Sequence, residues 1–320
     1  MIPRNLIFLS AHSHDECFIW QCQVFIVNFR DKGVPMDQIH IVVWYPKTGL
    51  NQRWELLRKK YPRVKFFFYK DEDVDLKLYI PQLRPNVLKR YIADNPSDNV
   101  FFYHDADIIF NFLPNFTELV KGPVCWQSDT SGYLDYNYLR SKEIEGKIPE
   151  HEAIGKLAEI GKVSVDTIMS YKGKTGGAQY IIKGMTKDFW EDVERQVLEI
   201  RRAFSFDVPG SFNRKYFPSE NAGFQSWCAD MWAVNFSLWS RDKVTDVTDE
   251  LAFSWATDSY ETYEKKPIFH NAGATAGNKR LFFKGAWLHR SPLPHVDKIY
   301  VSKAFAQHAY VEAMKKAKNG

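Results

Sequence analysis

Hydrophobic and polar residues alternate in blocks along the first 110 positions of the chain. Short apolar runs, rich in β-branched and aromatic residues, are typical of buried strands and too brief for helices. Longer amphipathic stretches between them predict helices. The predicted strands cover residues 5–10, 40–44, 64–69 and 100–104, and the predicted helices cover residues 16–30, 51–61 and 85–94. Strands and helices in this alternation predict a parallel sheet with helices on both faces.

The pattern changes after residue 110. The stretch 128–161 is polar, and only one helix is predicted in it, beginning at Pro149 and running to about residue 160. The other predicted elements are strands at 124–127 and 176–182 and helices at 187–203, 224–240 and 301–318. We therefore expect an α/β protein with a Rossmann-like, mostly parallel central sheet flanked by helices.

Composition and charge narrow the class of protein. Of the 320 residues, 45% are hydrophobic and 26% are charged, which indicates a globular chain with a core. A net charge of +4 neither requires nor excludes nucleic acid as a partner. The four cysteines lack CxxC spacing, which favours a reducing compartment. No apolar run reaches the roughly 18 residues of a membrane span, and residues 1–16 do not resemble a signal peptide, so we expect a cytoplasmic protein.

Asp105 and Asp107 lie one small residue apart, directly after the predicted strand 100–104. Parallel sheets bind their ligands at the carboxyl ends of the strands, so carboxylates at this position are expected to face a ligand. Two carboxylates this close need a counter-charge and can approach one hard cation together. We interpret the pair as a metal site; the alternative is a turn or helix cap that follows a strand.

This layout resembles a known family. An alternating βα half that ends in Asp-x-Asp is similar to the nucleotide-sugar-dependent glycosyltransferases of the GT-A fold, in which the Asp-x-Asp holds a divalent cation against the donor diphosphate. The resemblance implies Mn²⁺ or Mg²⁺ as cofactor and a nucleoside diphosphate sugar, with a UDP-sugar as first choice, as donor. It implies a nucleotide-sugar-binding half at 1–110 and an acceptor-binding and catalytic half, with the C-terminal helix, at 111–320 of the same domain.

A second motif, residues 269–273 (FHNAG), is similar to the His-x-x-Gly of glycogenin-like enzymes, in which the histidine completes the metal shell. An imidazole beside carboxylates suits Mn²⁺ better than Ca²⁺. The resemblance therefore implies His270 as the third metal ligand, with His289 as its competitor. The family has a lysine close behind this histidine to bind phosphate, whereas here the candidate cations lie further along, at Lys279, Arg280 and Lys284.

Two further motifs imply residues for the sugar and the acceptor. Paired glycines at Gly176 and Gly177, followed by Gln179, resemble the glycine-containing acceptor loop of these transferases, because glycine lets a backbone approach a ligand closely. A tight turn without a ligand is the alternative. The segment 219–232 resembles the region that places an acid at the head of an apolar helix, here Asp230. An apolar setting raises the pKa of a carboxylate and suits it to act as a base.

The implied function is transfer of a sugar from a nucleoside diphosphate to an acceptor that is a glycan, a protein or a modified nucleobase. The nucleotide is expected near the end of the first strand, at Ser10, Ala11 and His12. Asp230 would take the acceptor proton if the stereochemistry inverts and would position the sugar if it is retained; the sequence decides neither this nor the donor sugar. In the stretch 128–161, Tyr133, Tyr136, Tyr138 and Arg140 are candidates for contact with the acceptor.

Two alternatives remain at this stage. Residues 8–16 (FLSAHSHDE) resemble the Ala-His-Pro-Asp-Asp-Glu string of zinc-dependent N-acetyl sugar deacetylases, with His12 and Asp15 as possible ligands. His14 replaces the base of that family, and a zinc site needs about three protein ligands. The other alternative is a non-catalytic carbohydrate-binding protein that uses the aromatic side chains, 16% of the residues, as stacking surfaces.

Overall fold

The computed structural model describes residues 2–72 and 80–320. The chain divides into two compact units. Unit 1 is made of Met1–Glu72, Asn99–Val120 and Asp249–Gly320, and unit 2 is made of Asp73–Asp98 and Lys121–Thr248. Each unit is therefore assembled from segments that are distant in sequence.

The secondary structure of the described residues alternates as the hydrophobic pattern predicts. The strands are β1 (Leu6–Ser13), β2 (Ile39–Tyr45), β3 (Lys65–Lys70), β4 (Val100–His104), β5 (Ile108–Phe110), β6 (Cys125–Asp129), β7 (Gly176–Ile182), β8 (Thr245–Val247), β9 (Phe253–Trp255) and β10 (Ile268–His270). The helices are α1 (Glu16–Asp31), α2 (Arg53–Lys60), α3 (Leu83–Asp94), α4 (Phe116–Leu119), α5 (Ser131–Leu134), α6 (Tyr136–Glu145), α7 (Glu152–Gly161), α8 (Val165–Ser170), α9 (Lys187–Phe204), α10 (Phe212–Tyr216), α11 (Ala229–Trp239), α12 (Tyr260–Glu264) and α13 (Gln307–Asn319).

Unit 1 is built on a parallel sheet of four strands in the order β3-β2-β1-β4. This order matches the first four strands, 3-2-1-4, of the Rossmann sheet, and it confirms the expected α/β class with a parallel sheet. Phe8 of β1 pairs in register with Ile39 of β2 and Phe102 of β4. The rings of Phe8, Phe102 and Phe116 pack edge to face with centroids 5.2 to 5.6 Å apart, so the β1–β4 pair lies in an aromatic core.

A second, small sheet in unit 1 carries the polar residues that follow β4. Its order is β5-β10-β9, with β10 antiparallel to β5 and parallel to β9. His270 of β10 pairs with Ile108 of β5. The side chain of Asn28 in α1 fixes this sheet, since its amide nitrogen donates to the Phe110 carbonyl at 3.1 Å and its oxygen accepts from the Phe110 N–H at 2.8 Å.

Unit 2 contains the sheet β7-β6-β8, in which β6 is antiparallel to β7 and parallel to β8. Helix α9 packs against α3 and α11. It begins where the side chain of Thr186 accepts a hydrogen bond from the N–H of Phe189 at 3.2 Å, the usual cap of a helix N-terminus. The predicted strand at 176–182 and the predicted helix at 187–203 are confirmed to within one residue.

Three sequence predictions differ from the structure. The stretch 128–161 holds α5, α6 and α7 rather than one helix; α6 begins because the side chain of Asp135 caps it, accepting from the Asn137 N–H at 2.7 Å. The predicted helix 224–240 starts only at Ala229, since Ser226–Cys228 form a 3₁₀ turn. The predicted helix 301–318 starts at Gln307, because the preceding Ala306 donates its N–H to the Asp258 carbonyl.

Within the described residues, no helix combines the length and the apolar character needed to cross a bilayer.

Candidate functional site

Asp105 and Asp107 lie in the short link between β4 and β5. The link is held by His104, whose Nδ1 donates to the Asp105 carbonyl at 2.8 Å. Burial lowers the pKa of His104 to about 4, so the ring is neutral at pH 7 and its Nδ1 carries the proton. The His104 ring also stacks on Phe102, with centroids 5.2 Å apart. The end of the aromatic core therefore fixes the backbone from which both carboxylates project.

His270 meets both carboxylates. Its Nε2 lies 3.2 Å from Asp107 Oδ1 and 3.6 Å from Asp105 Oδ2. The β5–β10 pairing brings them together, because it places His270 opposite Ile108, the residue after Asp107. The imidazole stacks on the ring of Trp255, at 5.9 Å and an interplanar angle of 15°. The predicted triad is thus one cluster, and His289 lies elsewhere, in an exposed segment.

Lys284 supplies a positive charge to the cluster. Its ammonium donates to Asp107 Oδ2, and the Lys284 side chain is 39% exposed whereas that of Asp107 is 6% exposed. Burial by itself raises the pKa of Asp107, but the charges and hydrogen bonds of Lys284 and His270 outweigh burial and hold that pKa far below its usual value. Asp107 is therefore an ionised, buried carboxylate at neutral pH.

The donor atoms of the cluster fit a small divalent cation. One ligand atom from each of Asp105, Asp107 and His270 lies within 4.8 Å of the other two. Two ligands at right angles around a cation with bonds of about 2.1 Å are about 3.0 Å apart, close to the 3.2 Å between His270 Nε2 and Asp107 Oδ1. The two carboxylates suit Mg²⁺ or Mn²⁺, and the imidazole beside them favours Mn²⁺ of the two. These three residues could hold such an ion with small side-chain adjustments.

A buried amide clamp, which the sequence analysis missed, holds the loop around this cluster. Gln307, at the start of α13 and fully buried, donates to Asn271 Oδ1 and to the Phe282 carbonyl, both at 2.7 Å. Its oxygen accepts from the Phe282 N–H at 2.6 Å. Asn271 in turn donates its N–H to the Asp107 carbonyl at 2.9 Å. The clamp therefore joins the backbones beside Asp107, His270 and Lys284.

The remaining residues predicted to bind the nucleotide or phosphate lie in two different settings. Ser10, Ala11 and His12 are buried within β1, which extends to Ser13. The His12 ring stacks on Phe18 at 5.0 Å. Lys279 and Arg280 are exposed in the loop between β10 and Lys284, and the Arg280 guanidinium lies 5.6 Å from the centroid of Phe305.

Gly176, Gly177 and Gln179 form the buried start of β7 in unit 2. A Cβ at Gly176 would lie 2.3 Å from Gln127 Cβ and 2.5 Å from the Ser128 carbonyl oxygen, so packing against β6 requires a glycine there. The Gln179 oxygen accepts from Ser128 Oγ at 2.6 Å. This geometry accounts for both residues through contacts inside unit 2.

Asp230 lies in the first turn of α11, also in unit 2. Its Oδ2 is 3.3 Å from a guanidinium nitrogen of Arg84, and the two side chains are 14% and 25% exposed. Asp230 is therefore a half-buried carboxylate whose charge is balanced by an arginine. The sequence analysis did not predict Arg84, because it belongs to no recognisable motif.

The deacetylase alternative gains no support from the geometry. Among residues 2–72 and 80–320, the cluster of three or more histidine, cysteine or acidic side chains that could hold a metal is Asp105, Asp107 and His270. His12 belongs to no such cluster in this part of the chain, and Asp15 accepts a hydrogen bond from Ser13.

Comparisons with known proteins define no family for this chain. No protein-family model matches the chain, and no curated protein is similar to it in sequence. The apo structure of the bifunctional glycosyltransferase WbbM is 12% identical with a TM-score of 0.49, over 97% of this chain. The chain spans 50% of the length of that protein. The apo structure of mouse xyloside xylosyltransferase 1 is 9% identical with a TM-score of 0.41, over 83% of this chain and 97% of its own. Likenesses at this level do not establish a shared activity.

Proposed function

We propose that the protein is a GT-A-like glycosyltransferase that uses a divalent cation and a nucleoside diphosphate sugar, with a UDP-sugar as first choice. The observation that carries this proposal is the cluster of Asp105, Asp107 and His270 after a strand of the parallel sheet, with the Lys284 ammonium beside it. Sheets of this kind bind ligands at that edge. The acidic and imidazole groups of this site suit the cation that accompanies an anionic donor, and the ammonium group suits the negative charge of the donor itself.

In this reaction, the bond from the anomeric carbon to the diphosphate oxygen breaks, and an acceptor heteroatom forms a new bond to the same carbon. The three residues of the cluster would hold a Mn²⁺ or Mg²⁺ ion. This ion would neutralise charge on the departing diphosphate. Lys284, whose ammonium contacts Asp107, is proposed to hydrogen-bond a phosphate oxygen of the donor. Lys279 and Arg280, exposed in the preceding loop, are the further candidates for phosphate contact.

The acceptor side of the proposal lies in unit 2. Asp230 is the proposed base, which takes the acceptor proton if the stereochemistry inverts and orients the sugar if it is retained. Its carboxylate lies 3.3 Å from the Arg84 guanidinium, which would hold it in place for this role. Ser10–His12 of β1 are proposed to lie under the nucleotide, and the start of β7, at Gly176, Gly177 and Gln179, is proposed to lie beside the sugars.

The first test is thermal unfolding of the protein against a panel of nucleotide sugars, each with and without Mn²⁺. A ligand that binds only the folded state raises the unfolding midpoint by mass action, equivalent to about 2.7 kcal/mol at 100 times its Kd. We expect one donor to raise the midpoint only when Mn²⁺ is present. Stabilisation by Zn²⁺ alone, with no response to any donor, would favour the deacetylase instead.

Matched variants test whether Mn²⁺ binds at the proposed cluster. Asp107→Asn and His270→Gln should weaken Mn²⁺ binding by at least tenfold, measured by titration calorimetry. The first change removes the negative charge of an oxygen ligand, and the second removes the imidazole nitrogen. Asp297→Asn and His289→Gln make the same chemical changes at exposed positions and should bind Mn²⁺ as the unmodified protein does. Donor binding by Asp107→Asn that is unchanged and independent of metal would contradict the proposal.

A further inference from the structure

Trp227 of unit 2 is exposed although the residues on both sides of it are buried. Its relative exposure is 50%, compared with 3% for Ser226 and 0% for Cys228. A large indole at the surface leaves apolar area in water that a ligand can cover. The local backbone therefore holds this side chain outward while it anchors both neighbours.

The anchoring of this segment is extensive. Ser226 Oγ accepts from Arg201 at 2.7 Å and donates to Glu220 Oε1 at 2.7 Å. The hydroxyl of Tyr138 accepts from the Gln225 N–H at 2.7 Å. The 3₁₀ turn that carries Trp227 is thus fixed at its start, so the indole is displayed with less of the ordering cost that a flexible loop would add on binding.

A second aromatic ring adjoins Trp227. The Tyr133 ring in α5 lies 5.6 Å from the Trp227 ring, with an interplanar angle of 34°. Gly177 explains how the two elements come so close: a Cβ at this position would lie 2.8 Å from Met231 Sδ and 3.1 Å from Leu134 Cδ1. The start of α11 and the helix α5 therefore meet over Gly177, the second residue of β7, and they present two neighbouring rings.

A carboxylate with an arginine partner follows Trp227 along the chain. Asp230 lies in the first turn of α11, three residues after Trp227, which is carried by the 3₁₀ turn that precedes this helix. Its carboxylate is paired with Arg84 at 3.3 Å. A carboxylate accepts hydrogen bonds and a guanidinium donates them, so the pair can bind hydroxyl groups of either orientation.

The other acceptor candidates of the polar stretch are engaged within unit 2. The Tyr136 hydroxyl lies 2.9 Å from His151 Nε2, and the Tyr138 hydroxyl holds Gln225. Arg140 forms ion pairs with Glu143 and Glu150. Tyr133 differs from these three because its ring lies against an exposed tryptophan.

We propose that Tyr133 and Trp227 stack on a sugar ring of the acceptor while Asp230 and Arg84 hydrogen-bond its hydroxyls. This inference rests on the proposed function, whose acceptor class it names as carbohydrate. A pyranose offers an apolar C–H face to the rings and a polar rim to the ion pair, which is the usual composition of a small-ligand site. A nucleic acid would need surplus cations for its phosphates, whereas Arg84 is already neutralised and Asp129, which precedes α5, is an exposed acid.

The experiment measures binding without nucleotide sugar or metal, so that its result is independent of the donor site. The probes are methyl glycosides of glucose, galactose, mannose, N-acetylglucosamine and xylose, the disaccharides maltose, cellobiose and chitobiose, a 12-nucleotide single-stranded DNA, and a tyrosine-containing hexapeptide. Saturation-transfer NMR detects contact, and titration gives Kd. We expect at least one saccharide to bind with a Kd in the millimolar range or tighter and to receive saturation chiefly at its ring C–H protons.

Variants test whether the saccharide contacts Trp227. Trp227→Ala should weaken saccharide binding at least tenfold, and Trp227→Phe, which keeps a ring face, should recover part of the loss. Tyr300→Ala removes an aromatic side chain that is 82% exposed in unit 1 and should leave binding unchanged. Circular dichroism and the unfolding midpoint check that each variant is folded.

Three results would overturn the inference: no saccharide binds, saccharides bind Trp227→Ala as tightly as the unmodified protein, or only the DNA or the peptide binds through Trp227. If the donor panel with Mn²⁺ still gives a metal-dependent response, the acceptor class alone is wrong. If that panel also fails while saccharides bind through Trp227, the platform belongs to a carbohydrate-binding protein and the transferase proposal is wrong.

Discussion

At Asp107, burial and ion pairing act in opposite directions. The carboxylate is almost entirely removed from water, which disfavours its charge, and Lys284 and His270 restore that charge from two sides. The arrangement keeps a buried oxygen ligand ionised and leaves its counter-charge, the Lys284 ammonium, partly exposed to solvent. A carboxylate in this state can exchange one cationic partner for another with little change in the surrounding core.

Replacing Gln307 should disturb the cluster from a distance. Gln307→Ala removes the three hydrogen bonds of the clamp and leaves buried backbone and amide groups without partners, so we expect a loss of about 2–4 kcal/mol in the free energy of unfolding. Because the clamp also positions the residues beside Asp107 and His270, Mn²⁺ affinity should fall about tenfold. Denaturant unfolding and calorimetric titration measure the two effects.

Gln23 provides the matched control for this prediction. Its side chain also binds α13, donating to the Ala317 carbonyl at 2.7 Å, but it makes no part of the clamp. Gln23→Ala should cost less stability and leave Mn²⁺ affinity unchanged. Equal losses of Mn²⁺ affinity in both variants would show that Gln307 acts only through general stability.

At the scale of single elements, two glycines should respond in opposite ways to the same substitution. Gly176→Ala places a Cβ against the backbone of β6 and should destabilise the protein by about 1–3 kcal/mol. Gly155 lies inside α7 with nothing within 4 Å of its added Cβ, so Gly155→Ala should stabilise by about 0.5–1 kcal/mol. Thermal unfolding of both variants checks the signs; a neutral Gly176→Ala would contradict the tight β6–β7 packing.

Strand β2 should make stability depend on pH through His40. Burial lowers the pKa of His40 to about 4 from 6.5, so the folded state favours the neutral ring. The unfolded chain takes up a proton first as the pH falls, and the stability of the protein therefore drops between pH 6.5 and 4, by about 3 kcal/mol in total. His40→Gln should flatten the stability profile in this range, measured by urea unfolding, whereas His289→Gln, at an exposed position, should not.

The sequence predicted the long elements well because their hydrophobic periodicity is local. The strands at 40–44 and 100–104 lie within β2 and β4, and the helix at 16–30 corresponds to α1. The three-residue strands β5, β9 and β10 were not predicted, since such short runs have no period to detect. They form because β10 pairs with both β5 and β9, and that pairing exists only in the folded chain.

The residues of the candidate site could be predicted from the sequence only where they belong to a recognisable motif. Asp105, Asp107 and His270 were proposed as one metal site and do converge, and Lys284 was among three candidate cations. The contact of Lys284 with Asp107 required knowledge of the loop geometry. Gln307 could not be found, because a buried glutamine that bonds two backbone groups leaves no sequence pattern.

At the scale of the whole molecule, metal binding should protect one unit. The proposed ligands all lie in unit 1, so Mn²⁺ should slow amide hydrogen exchange in β4, β5 and β10 by stabilising the state in which they are paired. Helix α9 of unit 2 should exchange at an unchanged rate. Mass spectrometry of exchanged peptides, with Asp107→Asn as control, measures both; protection confined to α9 would contradict the assignment of the site.

Unit 1 is synthesised in separate stages, because its three segments are distant from one another in the chain. Asp107 leaves the ribosome well before His270, Lys284 and Gln307, and burying its charge without them would carry the full desolvation cost. Residues 121–248, with the sheet of unit 2, are complete earlier. Because compact units fold as their residues emerge, the nascent chain can pair the strands of unit 2 while the two aspartates remain hydrated, and their site closes only after α13 has been translated.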